Sequence, residues 1–301
     1  MKNENVQIKI RIFLNRTSWH FFLSNFIKSH LIEDMSNNNN FIKNWFINFS
    51  KDRGDHILLT IIKNADSNIL EKNLSKALEL FISKYPSKTD PINLPINTFF
   101  INYPNNSYWF EKESTITSVK YTNDEIELKQ VISKVITFSL GNEIINDDDL
   151  FTLMIYLQTS VLKAVKSDIN EAYIFFEQFI NRSKKTIYNS YKDNLEIEKE
   201  RRFFQYFFKN NFQTLSEIVD DIWLRDNFNE DFEWLGDWVY YCNRFIKKNN
   251  NINLSFTIIN SIIFDHLDFT NKGRDTINKL ILKALVMRFV YLFILVKDIL
   301  V

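Results

Sequence analysis

The chain is poor in the residues that build most recognisable sites: one cysteine, four glycines and four prolines in 301 residues. A single cysteine excludes an internal disulfide and leaves no cysteine cluster for zinc or an iron–sulfur centre. The phosphate-cradling patterns GxGxxG and GxxxxGK[ST] do not occur, and four glycines could hardly supply them. HExxH and the GxSxG elbow are absent as well. Neither sign of charge is in excess, with 37 basic and 37 acidic side chains. Nucleic-acid binding takes most of its affinity from neutralised phosphates, so a balanced chain without a basic stripe is not expected to bind nucleic acid. No metal and no cofactor are expected. The first residues lack a basic segment followed by an apolar run, so no signal peptide is expected.

What is present is a globular composition, 45% hydrophobic and 25% charged, with 29 Phe and 12 Tyr. The longest apolar run, 280–296, is interrupted by Lys283 and Arg288 and falls short of the roughly 20 residues a bilayer needs. It is expected as a buried helix rather than a membrane span, and the protein as cytoplasmic. Cys242, inside an aromatic helical pattern, is expected as a buried, inert thiol.

Residues 6–14 alternate apolar and polar, the period of a half-buried strand. Thr17 or Ser18 is expected to cap a helix carrying Trp19, Phe22, Phe26 and Ile27. The Asn-rich stretch Asn37 to Asn40 reads as a loop. Residues 43–50 and 56–63 read as two strands around the polar turn 51–55, hence a hairpin. A helix is expected over 68–84 and strands over 96–103 and 115–121. From residue 124 the pattern is helical: 125–139, 148–166, 171–191, 196–210, 214–225, 231–248, 254–266 and 274–300 each carry an apolar stripe. Strands first and helices later define an α+β protein. The expected organisation is a sheet-containing part over 1–140 and a helical part over 141–301, packed as one compact unit.

No catalytic constellation follows from spacing alone. The histidines His20, His30, His56 and His266 form no close ligand pair. Asp147, Asp148 and Asp149 precede an apolar helix and are expected to serve its N-terminus. Trp234, Trp238, Tyr241 and Phe245 form an aromatic stripe, expected as core. Lys184-Lys185 and Arg201-Arg202 read as solvated faces.

One run carries more. Trp45-Phe-Ile-Asn-Phe-Ser-Lys-Asp-Arg-Gly-Asp-His-Ile-Leu-Leu-Thr-Ile61 resembles the strand–turn–strand of thiopeptide-type bacteriocin biosynthesis proteins. That family is similar to the C-terminal, glutamate-eliminating domain of lantibiotic dehydratases. Residues 129–139, ending Ile-Thr-Phe-Ser, and Ser261-Ile-Ile-Phe-Asp-His-Leu-Asp-Phe269 resemble two later family segments, in the same order. The resemblance implies an α+β fold and work on a leader-bearing precursor peptide. A partner dehydratase or cyclase is implied, and a homodimer is among the assemblies it admits.

The family's eliminating members carry arginines on both hairpin strands and a histidine near the C-terminus. Here those arginine positions hold Asn48, Leu58 and Thr60, and the ungapped histidine position holds Phe264, with His266 two residues on. Elimination needs a base for the α-proton and cations for the departing carboxylate. Two readings therefore stay open: lyase- or cyclase-like chemistry in the same cleft, or a catalytically inactive subunit that binds peptide or supports a partner enzyme. The candidate acid–base groups are His266, His56 and Tyr121. Asn48 and Arg53 are the candidate substrate-binding groups. An exposed hairpin edge would be a place to add a peptide strand.

Overall fold

The structure is a computed structural model that describes residues 6–35, 42–63, 68–88, 103–111, 121–187, 194–224 and 233–299. By internal contacts the chain divides into two compact units. One is Met1–Phe151 together with Asp265–Asp268; the other is Thr152–Phe264 with Phe269–Val301.

The first unit is built on a four-stranded antiparallel sheet: β1 (Val6–Phe13), β2 (Ile42–Ser50), β3 (His56–Lys63) and β4 (Ser107–Phe110), in the order β2-β3-β1-β4. The expected hairpin is β2–β3. Its turn closes through Arg53 and Gly54, both at positive φ (57° and 112°), with Gly54 N–H donating to Lys51 O. A glycine suits that left-handed corner because it has no Cβ to clash.

Period-2 alternation gives the sheet two unlike faces. One carries Ile8, Ile10, Ile12, Trp45, Ile47, Phe49, Ile57, Leu59 and Ile61, all buried. Helix α1, wound as Arg16–Ser18, Trp19–Phe21 and a wider-turned Phe22–Met35, packs on this face. There the Trp19 and Phe49 rings stack at 4.4 Å. Helix α2 (Asn68–Lys84) meets α1 where Phe81 sets its ring edge against Phe22 and Phe26. The other face holds Lys9, Arg11, Asn48, Ser50, His56 and Thr60 around Phe46 and Ile62, and is the chemically mixed one.

Helix α3 (Asn123–Leu140) lies beside β2, the sheet's edge strand. The Ser133 hydroxyl accepts from Ile47 N–H at 2.9 Å and donates to Lys129 O at 2.7 Å, so the middle of that edge is closed. The hairpin edge, considered above as a place for an added peptide strand were it exposed, is occupied at Ile47.

The second unit is helical: α4 (Asp147–Val165, its first turn in the other unit), α5 (Ile169–Ile187), α6 (Asn194–Leu224), α7 (Glu233–Asn249), α8 (Ile252–His266) and α9 (Asn271–Ile299). Trp238 is fully buried and its indole N–H donates to Leu157 O. Phe256 receives the edges of Phe175, Phe176 and Phe179. Cys242 is buried, and burial holds its thiol well above its ordinary pKa, as expected of an inert core cysteine. Among the described residues no helix is long and apolar enough to cross a membrane. In α9, Ile277, Leu280, Ile281, Ala284 and Leu285 are buried.

Two local expectations are corrected. Ser18 stands at the cap position of the α-helical turn but makes no side-chain cap bond; that bond is made one turn earlier by Asn15, whose side chain accepts from Thr17 N–H. An Asn carboxamide reaches the second free N–H more directly than a hydroxyl placed inside the turn. The two helices expected over 196–210 and 214–225 are one, α6. Nothing between them breaks a helix, and the Asn211 amide bonds back to Phe207 O within it. Strand β4 was not anticipated. The segments 96–103 and 115–121, expected as strands, lie outside the described residues apart from Tyr103 and Tyr121, which are in neither strand nor helix. Asn37 to Asn40 lie outside them as well.

Candidate functional site

The mixed face of the sheet brings the sequence-picked residues into two groups, both within the first unit. The first surrounds Phe46. Thr122 and Glu125 form a capping box at the start of α3, with Glu125 N–H bonded to Thr122 Oγ1 and Thr122 N–H to Glu125 Oε2. That box holds Tyr121, the preceding residue, against the sheet, its ring edge-on to Phe46 at 6.1 Å. One turn beyond Glu125, Lys129 runs inward. It is 5% exposed, and its Nζ sits 4.5 Å from the centre of the Tyr121 ring and 5.2 Å from that of Phe46. The segment Asp265–Asp268 completes this group. Asn48 Nδ2 donates to Asp265 O at 3.2 Å, and the buried His266 ring lies 6.2 Å from Phe46.

The second group gathers at the hairpin turn. Phe13 lies between His56 and Tyr103, 4.8 Å from each ring. Arg53 is exposed and bends over the Tyr103 ring, with its guanidinium bonded to the Tyr103 hydroxyl at 3.4 Å. Arg11 pairs with Glu111 and, at 3.8 Å, with Asp52. His56 is buried, its Nδ1 3.0 Å from Gly54 O and its Nε2 3.4 Å from the Arg11 guanidinium. A carbonyl only accepts, so Nδ1 carries the proton and the Nε2 lone pair faces the Arg11 donor.

The electrostatics follow from these placements. Burial lowers the His56 pKa and the Arg11 charge adds to it, against the Gly54 carbonyl and the charges of Asp52 and Asp268. Burial likewise lowers that of Lys129, opposed by Asp265 and Glu125. Burial, then the charges of Asp265 and Glu125, raise that of Tyr121, so its phenol stays protonated at neutral pH. Asp268, at φ 57°, is raised by burial against the Lys51 N–H that it accepts.

Arg11, Glu111 and Lys129 were missed from sequence. The partners of Arg11 lie far along the chain and gave no signal. Lys129 did give one: it shares the inward stripe of α3 with Ile126, Ile132 and Ser133, an unusual position for a lysine.

A pH dependence follows from the buried histidines. The pKa values of His56 and His20 are lowered from 6.5, burial being the first cause for each. The unfolded chain therefore binds more protons just below pH 6.5. Stability is fully present above that value and declines as pH falls through it, by up to about 1.4 kcal/mol per pH unit for each histidine. The decline stops once the folded values are passed. Urea midpoints at pH 7.5, 6.5 and 5.5 are expected to fall in that order, and His56→Asn, which keeps a donor for Gly54 O, is expected to fall less steeply. Equal slopes for the two proteins would remove His56 from the linkage.

Asp147 and Asp149 serve the start of α4, as expected of that acidic run. Asp149 and Asn146 exchange hydrogen bonds across the first turn, and Asp147 pairs with Arg16.

Two solved structures share the fold over nearly the whole chain. The pyridine synthase TbtD from thiomuracin biosynthesis superposes with a TM-score of 0.63 at 10% identity, covering 93% of this chain and 97% of its own. TsrL gives a TM-score of 0.56 at 10% identity, covering 94% and 95%. At such identity the likeness is one of fold. No protein-family model and no curated protein matches the chain.

Proposed function

We propose that this chain acts in the biosynthesis of a thiopeptide-type ribosomal peptide, on a leader-bearing precursor, with cyclisation-type chemistry. The observation that carries the reading is the likeness to a pyridine synthase across 93% of this chain and 97% of the other. It agrees with the three sequence segments that resemble the same family.

The residues favour cyclisation over glutamate elimination. Asn48, Leu58 and Thr60 leave the three family arginine positions of the hairpin without a cation. The His56 lone pair faces Arg11 rather than open space, so His56 is better suited to hold Arg11 than to take a proton. Ring closure between two unsaturated residues depends mainly on holding them together and on donors that polarise an amide. In this reading Tyr121 is the hydrogen-bond donor, while Asn48, through Asp265 O, and His266, beside Phe46, hold the floor of the site. Arg53, exposed at the hairpin turn beside Tyr103, would be a further contact for the peptide. The unsaturated residues would come from a partner dehydratase, and the work would be cytoplasmic.

The second reading, a catalytically inactive peptide-binding subunit, draws on the same missing cations. Co-expression of the neighbouring precursor peptide and its dehydratase, with and without this chain, separates the two by intact mass. Ring closure with loss of water and of the leader, seen only when this chain is present, is the expected result. If Tyr121→Phe and His266→Ala leave that product unchanged while omission of the chain abolishes it, the scaffold reading replaces the enzyme. If the product forms equally well without the chain, both readings fail.

A further inference from the structure

We propose that β4 is the docking edge for the precursor peptide: an extended segment of that peptide adds to the sheet as a fifth strand, bonded to the main chain of Tyr108 and Phe110 and with a side chain set against Trp109. The inference rests on the reading of the chain as a protein that acts on such a peptide, and says where the peptide is held.

Three observations carry it. The first is topology. The sheet ends in β2 on one side and β4 on the other, and the β2 edge is occupied at Ile47 by Ser133. Among the described residues no strand pairs with the outer side of β4. The nearest described residues across the gaps in sequence are engaged elsewhere on the sheet. Tyr103 N–H donates to Arg53 O at the hairpin turn, and Tyr121 packs on Phe46 of β2. The second is the direction of the main-chain groups. Glu111 N–H donates to Lys9 O at 2.8 Å, and the register sets Trp109 opposite Arg11. Residues of an antiparallel ladder alternate between facing their partner and facing away. Trp109 therefore bonds to β1, while the N–H and C=O of Tyr108 and Phe110 point outward. Donors and acceptors in that alternation are matched by another extended main chain.

The third is the side chains. Edge strands that resist pairing carry charge or proline, and Ser-Tyr-Trp-Phe has neither. Trp109 is 51% exposed on the face it shares with Arg11, and its ring lies 5.4 Å from that of Tyr103. An aromatic side chain in water beside an unpaired ladder gives an arriving strand apolar surface to bury. The size of the edge selects a peptide over a second copy of this chain. Its four residues run about 13 Å, far too little for the roughly 800 Å² that each partner of a stable dimer buries. A peptide needs only that length of ladder, with Trp109 to receive one of its side chains.

The test measures amide hydrogen exchange of the full chain with and without the neighbouring precursor peptide, and affinity for the same peptide by fluorescence anisotropy. On adding the peptide, exchange at Tyr108 and Phe110 is expected to slow about 10-fold or more, with Ile47 on the other edge unchanged. Phe110→Pro removes one outward donor, a change an edge strand tolerates, and Phe110→Val loses the same ring but keeps the donor. Proline is expected to weaken binding about 10-fold, and valine no more than about threefold. A folded Phe110→Pro protein that binds within twofold of the wild type would overturn this inference alone. So would Tyr108 and Phe110 amides already protected without peptide, or a dimer that Phe110→Pro dissociates, since each would show another occupant of the edge. A wild type that neither binds nor converts the peptide would overturn it together with the reading beneath it.

Discussion

Trp19→Ala is expected to remove about 3–5 kcal/mol from the stability of the first unit. Trp19 is 1% exposed, its ring stacks on Phe49 of β2, and its indole N–H donates to Leu14 O just after β1. It therefore joins α1 to the sheet both by area and by a directed bond. Truncation leaves a cavity beside Phe49 and strips a buried carbonyl of a partner. A domain holds only about 5–15 kcal/mol in total, so most of the reserve would go. Trp19→Phe keeps a ring on Phe49 and loses the bond and part of the volume, for an expected loss of about 1–2 kcal/mol. Urea titration followed by circular dichroism reads both. A loss under about 1 kcal/mol for the alanine variant would mean that α1 is held elsewhere.

Trp238→Ala is expected to cost a similar amount, about 3–5 kcal/mol, in the helical unit. Its ring has no exposed surface, and its N–H reaches Leu157 O in the middle of α4. Cys242 lies one turn further along α7 and supplies a second readout. Its thiol is buried and its pKa is raised by that burial, so it is expected to resist alkylation in the wild type. Opening the helix interface at Trp238 is expected to expose it. Labelling of Cys242 with a small maleimide should therefore accelerate in Trp238→Ala at urea concentrations where the wild type stays protected. Unchanged labelling alongside an unchanged midpoint would show that the indole is dispensable to the packing of α7.

The elements legible from sequence are those whose periodicity is long and whose ends carry their own signals. Strand β1 alternates over its whole length, the hairpin has its glycine corner, and α2 was expected over the same residues it occupies. Strand β4 was missed because Ser107–Phe110 is too short for a period to appear; it exists through pairing with β1, as in Arg11 with Trp109. Helix α6 was expected as two helices, although the Asn and Gln residues between the two apolar stripes do not stop a helix whose next turn is apolar. The site divides in the same way. Tyr121, Asn48 and His266 were picked singly, but their gathering around Phe46 depends on contacts between distant segments. Lys129 was readable as a charge on an apolar stripe, yet its two aromatic partners come from another strand and from the residue before the helix cap. Spacing within one helix cannot disclose those.

Asp265–Asp268 belongs with the sheet, although the helices on either side of it in sequence belong to the other unit. The boundary between units is thus no place to cut the gene. A fragment ending at Phe151 would contain every described strand, α3 and Lys129, and still lack His266, Asp268 and the carbonyl that Asn48 bonds. Dissecting this protein into a sheet half and a helical half would divide the surface proposed as the site, and neither fragment would inherit it whole.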